Sequence, residues 1–226
     1  MAVVVPLLVV IGVAIALGAS AGGSAPALPT AGAPADGTPV PRTAPALAAV
    51  RRPPDIAVAA AEGLQLRLPI ERARVNAIAF HAIEDAGVVP LEPGGGLEHH
   101  TLPKNGRPGS DTATVDIAAA AGTPVWSPVD GSVLSVSPYI VSGLMQGYEI
   151  LIRPSATAGL LVRMTHLQVP AGGEPPSVGQ PVRAGETQIG EVVDFTVAEQ
   201  EIARHTSDSG NHVHLELLRS ELSYTP

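Results

Sequence analysis

Hydrophobic positions divide the chain into regimes with different periodicities. Residues 2–17 (AVVVPLLVVIGVAIAL) are almost wholly apolar and run into Gly18, Ala19, Ser20 and Ala21. That order resembles the apolar region and small-residue cleavage site of an export signal, although no Lys or Arg precedes it. A run of about 20 apolar residues is also long enough to remain as a membrane anchor. The next stretch, GGSAPALPTAGAPADGTPVPRTAPALAAVRRPP, has prolines throughout. Proline removes backbone donors and fixes extended conformations, so this stretch predicts a disordered, semi-extended tether. The expected organisation is a signal or anchor over 1–21, a linker over 22–61, an N-terminal extension over 62–107 and a folded domain over 108–226.

Within the extension, Val75, Ile78, Ala79, Ala82, Ile83 and Ala86 follow helical spacing, yet Val75–Phe80 is short enough for a strand, and periodicity leaves both open. His81 lies in this ambiguous segment and reads as a packed side chain. From Asp116 onward the pattern is β. Short apolar runs (VDIA, TPVWSPV, GSVLSV, YEILIR, LLVRMTHL, QPVRAG, TQIGEVV, HVHLELL) are separated by Gly, Pro and Asp turns, and Asp130-Gly131 is a hairpin-type dipeptide between two of them. Thr196 with Glu199 forms a capping box that opens one short helix to about Arg204. GTPVWSPVDGSVLSV and VGQPVRAGETQIGEV echo one another. Two such half-motifs predict a mainly β fold, an antiparallel β sandwich or partly open barrel.

Composition narrows the chemistry. Cys is absent, which excludes disulfides, thiolate metal sites and a Cys nucleophile. Lys104 is the sole lysine, which argues against Schiff-base chemistry and against a lipoyl- or biotinyl-type carrier, whose hairpin turn would need a lysine where Asp130-Gly131 stands. The net charge of −8 is concentrated in residues 108–226, with 13 acidic against five basic residues. Nucleic acid is therefore not an expected partner. A phosphoryl carrier with two histidines would be cytosolic, in conflict with the N-terminus.

The candidate chemistry is histidine-rich. Side chains alternate across a strand, so in Asn211-His212-Val213-His214-Leu215-Glu216-Leu217 the residues His212, His214 and Glu216 share one face, and Val213, Leu215 and Leu217 pack the other. His166 shares parity with Leu160, Val162 and Met164, which places it at the end of an inward-facing row. Asp116 points with Thr114 away from the face of Val115 and Ile117. His205 reads as a charge partner at the end of the expected helix.

Taken together, Asp116 in VDIAAAAGTPVWSPVDGSV, His166 in MTHL and His212/His214 in SGNHVHLEL resemble the lysostaphin/LytM-type zinc metallopeptidases, which cleave peptide bridges in bacterial peptidoglycan. The resemblance covers roughly residues 108–220. It implies the duplicated-hybrid-motif β sandwich, Asp116 and His214 as zinc ligands, and His166 and His212 as acid/base or transition-state-stabilising groups. Where that family has its first histidine ligand, four residues before Asp116, this chain has Thr112. A neutral hydroxyl is a poor zinc ligand. If a four-ligand site is worth about 10–16 kcal/mol, losing one ligand costs roughly 3 kcal/mol, or about two orders of magnitude in affinity. Asp111, His99 or His100 are the substitutes considered. The expectation is an extracytoplasmic envelope protein with weak or absent zinc, acting by binding peptidoglycan or a wall hydrolase. The alternative is an active zinc endopeptidase with a substitute third ligand.

Overall fold

The computed structural model describes residues 51–85, 87–195 and 201–220. The apolar N-terminal run, most of the tether and the capping-box residues Thr196 and Glu199 lie outside the described residues. The strands are β1 (Ala57–Ala61), β2 (Leu64–Arg67), β3 (Ala77–His81), β4 (Glu92–Pro93), β5 (His100–Thr101), β6 (Thr114–Ala118) and β7 (Pro124–Trp126). They continue with β8 (Gly131–Val141), β9 (Leu144–Pro154), β10 (Leu160–Gln168), β11 (Pro181–Val182), β12 (Gln188–Val192) and β13 (His212–Arg219). Helical geometry among the described residues is confined to 3-10 turns at Arg72–Arg74 and Ile202–His205.

The chain is mainly β, as its turn-punctuated pattern predicts, and its sheets do not close into a barrel. A small sheet has the order β2-β1-β4. The large one runs β11-β8-β9-β10-β13-β6-β3-β5, with β12 pairing β10 and β7. Two hairpins turn at Glu62-Gly63 and Ser142-Gly143, where both residues have positive φ. That is the two-residue geometry whose twist matches paired strands, and it needs glycine at the second position.

The large sheet buries one face along its central strands. Ile78 and Phe80 of β3, Val115 and Ile117 of β6, Val213, Leu215 and Leu217 of β13, and Val162 and Met164 of β10 belong to one apolar core. At one end, the opposite face of β3 and β6 carries alanine. Ala77, Ala79 and Ala118 form a second cluster with Leu102 and Ile202. Small side chains there let neighbouring segments approach the sheet closely.

Two expectations are corrected and one open alternative is decided. Ala57–Ala61 form β1, paired with both β2 and β4, so the expected disordered linker to residue 61 gives way to ordered strand before its end. Strand wins over helix in the segment left open, because β3 pairs antiparallel with β6 and parallel with β5. All five of its residues are buried, with Ile78 and Phe80 alternating into the core. Asp130-Gly131 does not join paired strands: β7 pairs β12, while β8 pairs β9 and β11. The Asp130 carboxylate instead accepts the Ala184 N–H at 2.8 Å.

Phe80 is 1% exposed, between the sheet core and the ring of His99. Phe80→Ala is expected to destabilise the domain by about 3–5 kcal/mol, read as a lower urea midpoint with an unchanged slope.

Candidate metal centre

Register assembles the site. Pairing of β3, β6, β13 and β10 puts Ala79, Asp116, His214 and Thr165 in one cross-strand row, and His81, Thr114, Glu216 and Arg163 in the next. The side chains of His81, Asp116, His214 and Glu216 stand on the face opposite the apolar core. All four are buried, and they line the floor of a cleft of about 390 Å³.

Asp116 is the hub. Its Oδ2 lies 3.1 Å from His81 Nε2, and its Oδ1 lies 2.6 Å from His214 Nδ1 and 3.7 Å from His212 Nε2. Burial alone would raise its pKa, but the charges of His212, His214 and His81 hold it well below the usual carboxylate range. His214 donates through Nδ1 to Asp116 and through Nε2 to Glu216 Oε1 at 2.8 Å. An imidazole flanked by two carboxylates is most stable carrying both protons. Burial works against that charge, yet Asp116 and Glu216 raise the pKa of His214 to about 10. Glu216 is pushed upward by burial and drawn down overall by His214 and Arg163. Arg163 reaches Glu216 at 3.3 Å and Glu149 at 2.7 Å. Charges of alternating sign therefore run from Glu149 through Arg163, Glu216 and His214 to Asp116.

His166 reaches the cleft by a different route from the one its parity predicts. Leu160, Val162 and Met164 do face the core, but the register between β10 and β9 shifts after Met164, and His166 has φ 61°. This left-handed residue in an irregular stretch turns the imidazole out of the inward row and onto the cleft wall. A non-glycine residue in that conformation costs on the order of 1 kcal/mol. The ring meets His212 at 4.6 Å and Phe195 at 4.9 Å, both edge-on, and its Nδ1 is buried without a hydrogen-bond partner. Burial, reinforced by the charges of His212 and His214, keeps His166 neutral, well below the ordinary histidine range. His212 places Nδ1 at 2.7 Å from the Gly210 carbonyl. With Nδ1 engaged there, Nε2 is the ring nitrogen left on the Asp116 side of the cleft.

The ligand position expected from sequence at residue 112 lies elsewhere. The Thr112 hydroxyl shares a hydrogen bond with Ser110 at 3.2 Å. Asp111 pairs with Lys104 at 3.3 Å, His99 packs edge-on against Phe80, and His100 stacks on His205 at 3.8 Å. None of these is in the cleft floor. His81 is. One ligating atom each from His81, Asp116 and His214 lie within 4.8 Å of one another. Two imidazoles and one carboxylate, with a side open to a cleft, form a donor set that suits a catalytic zinc. The other ring nitrogen of His81 lies 3.1 Å from the Ala82 carbonyl, the kind of outer partner that orients a ligating imidazole. The proton on His214 Nδ1 marks the same vertex: a bound cation would take its place. In the AIAFH run, Ala77, Ala79 and His81 share one face of β3 and Ile78 and Phe80 the other.

Comparison with known proteins leaves the chain without a matching family model and without a matching curated protein. Solved structures do match. A zinc-containing peptidase from Vibrio cholerae is 22% identical, with 68% of this chain and 36% of that one covered at a TM-score of 0.37. Lysostaphin is 20% identical, with 49% and 38% covered at 0.35. Pseudoalterin, a deep-sea M23 metalloprotease, is 17% identical, with 70% and 72% covered at 0.39. The chain spans little more than a third of the length of the first two.

The metal-free centre predicts a two-sided pH profile. His214, raised to about 10, contributes stability that is complete below its unfolded value near 6.5 and is lost as pH rises through about 10. Asp116 and Glu216, both lowered, contribute stability present above about pH 4.5 and lost on acidification below it. The melting temperature of chelator-treated protein should therefore be highest between roughly pH 4.5 and 6.5 and fall on both sides. Asp116→Asn should flatten both limbs.

Proposed function

We propose that the domain is a zinc metalloendopeptidase that cleaves peptidoglycan peptides outside the cytoplasmic membrane, with His81, Asp116 and His214 holding the metal. The observation that carries this reading is the position of His81. The third donor that the sequence lacks at Thr112 is supplied from the adjacent strand β3, within reach of the other two. The resemblance of the Asp116, His166 and His212/His214 motifs to peptidoglycan endopeptidases supplies the substrate class. The apolar run at 2–17, read as an export signal or anchor, is consistent with an envelope location.

Zinc held by His81, Asp116 and His214 would supply Lewis acidity at the cleft floor. The rest of the chemistry belongs to side chains. His212, with its Nδ1 directed to the Gly210 carbonyl, offers Nε2 as the base that accepts a proton from water adding to the carbonyl carbon. It returns that proton to the nitrogen that leaves when the C–N bond breaks. His166, neutral and on the cleft wall, offers its ring to the carbonyl oxygen as charge develops there. Glu216, itself paired with Arg163, holds His214 in orientation through Nε2.

The test joins metal analysis to hydrolysis. The protein dialysed against zinc should retain one equivalent and release peptide fragments from peptidoglycan sacculi. His81→Ala should lose the metal and the activity. His166→Ala and His212→Ala should keep the metal but cut kcat by about 10²–10⁴. A wild-type protein that holds zinc and sediments with sacculi without cleaving them would establish the binding role instead. His81→Ala that retained full zinc affinity would refute the ligand assignment.

A further inference from the structure

The walls of the cleft differ from its floor. One wall presents Ile83, Leu102 and Ile202, and the other presents Tyr139 and Val141 from the outer end of β8. β8 and β9 extend this second wall outward as a hairpin. Val141 pairs directly with Leu144, and Ile140 with Met145, across the Ser142-Gly143 turn. Directly opposed residues share a face, so Leu144 continues the cleft-side surface of Val141, while Ile140 and Met145 face away. All four are exposed, at 42–62%, and they make up four of the six large exposed hydrophobics among the described residues. The stretch from Ser137 to Gly147, SPYIVSGLMQG, carries no charge in an otherwise acidic domain. An exposed apolar cluster beside a reactive cleft is a contact surface rather than a random exception.

We infer that the tip of the β8–β9 hairpin is a specificity element: Val141 and Leu144 grip an apolar side chain of the substrate peptide next to the bond that is cut. This deepens the peptidase reading and rests on it. An extended peptide laid along the cleft directs alternate side chains to its two sides. With the reacting carbonyl over the polar floor, a neighbouring side chain meets the Val141/Leu144 wall. That wall has nothing to offer a charged or strongly hydrated group. Glycine would leave it unfilled, and a hydroxyl would lose hydration without gaining a partner. The favoured substrate class is therefore a peptide with an alkyl side chain at that position, rather than an oligoglycine bridge.

The test uses the zinc-loaded full chain and dye-labelled pentapeptides Gly-Gly-X-Gly-Gly, with X as Gly, Ser, Ala or Leu. Binding is measured by anisotropy and hydrolysis is followed separately. Leu and Ala peptides should bind about tenfold tighter than Gly and Ser peptides, the usual discrimination of a pocket by alkyl groups. The double variant Val141→Ser/Leu144→Ser should abolish that preference while leaving zinc content and melting temperature unchanged. The outward-facing pair Ile140→Ser/Met145→Ser should keep it. Equal binding of all four peptides, or a preference surviving Val141→Ser/Leu144→Ser, would overturn the inference. Co-sedimentation with phosphatidylcholine vesicles that is lost in both double variants, without peptide preference, would also overturn it and assign the tip to a bilayer. Preference in binding without cleavage of any peptide or sacculus would retain the wall and remove the peptidase reading. Cleavage without preference would do the reverse.

Discussion

A buried carboxylate surrounded by imidazoles organises this domain. Taking Asp116 out of water is costly unless positive charge or a metal compensates it, and the sheet supplies partners from both flanking strands. β13 brings His214 and His212 to one side, and β3 brings His81 to the other. The compensation passes through His214 to Glu216 and Arg163, so each charge in the row has an opposite neighbour. A divalent cation fits this arrangement because the carboxylate is already ionised and the imidazoles already converge on it.

The N-terminal extension is consequently part of the site. β3 fills the position beside β6, with Ile78 and Phe80 in the shared core and His81 at its end. The Ala77, Ala79 and Ala118 surface beneath it allows Leu102 and Ile202 to pack close, and these two residues reappear in the cleft wall. Beside the histidine, Arg107 donates to the Ala82 carbonyl at 3.2 Å and is held in turn by the Glu201 carboxylate at 3.1 Å. A segment whose periodicity leaves helix and strand open thus shapes both the cleft floor and one side of the groove.

Much of the architecture and about half of the centre were legible in the residues. Period-two alternation around Asp116 and in HVHLELL placed Asp116, His212, His214 and Glu216 on the correct face, because both strands are regular throughout the relevant stretch. His166 defeated the same rule: alternation fails at a left-handed residue, and MTHL gives no glycine or proline to announce one. His81 was hidden for another reason. AIAFH satisfies helical and strand spacing equally, and a lone histidine in an apolar run gives no sign of what it will face across a strand pairing. The substitutes expected for Thr112 were Asp111, His99 and His100, none of which lines the cleft, whereas His81, on the strand paired with β6, does.

The donors come from three separate strands, and Asp116 and His214 stand 98 residues apart. No local fragment of the chain can hold the three together, since the entropy of closing such loops is recovered only when β3, β6 and β13 are joined in one sheet. An unfolded or half-assembled chain has scattered histidines and carboxylates with no shared focus. Their convergence exists only in the assembled sheet, and so belongs to the complete fold and to no part of it.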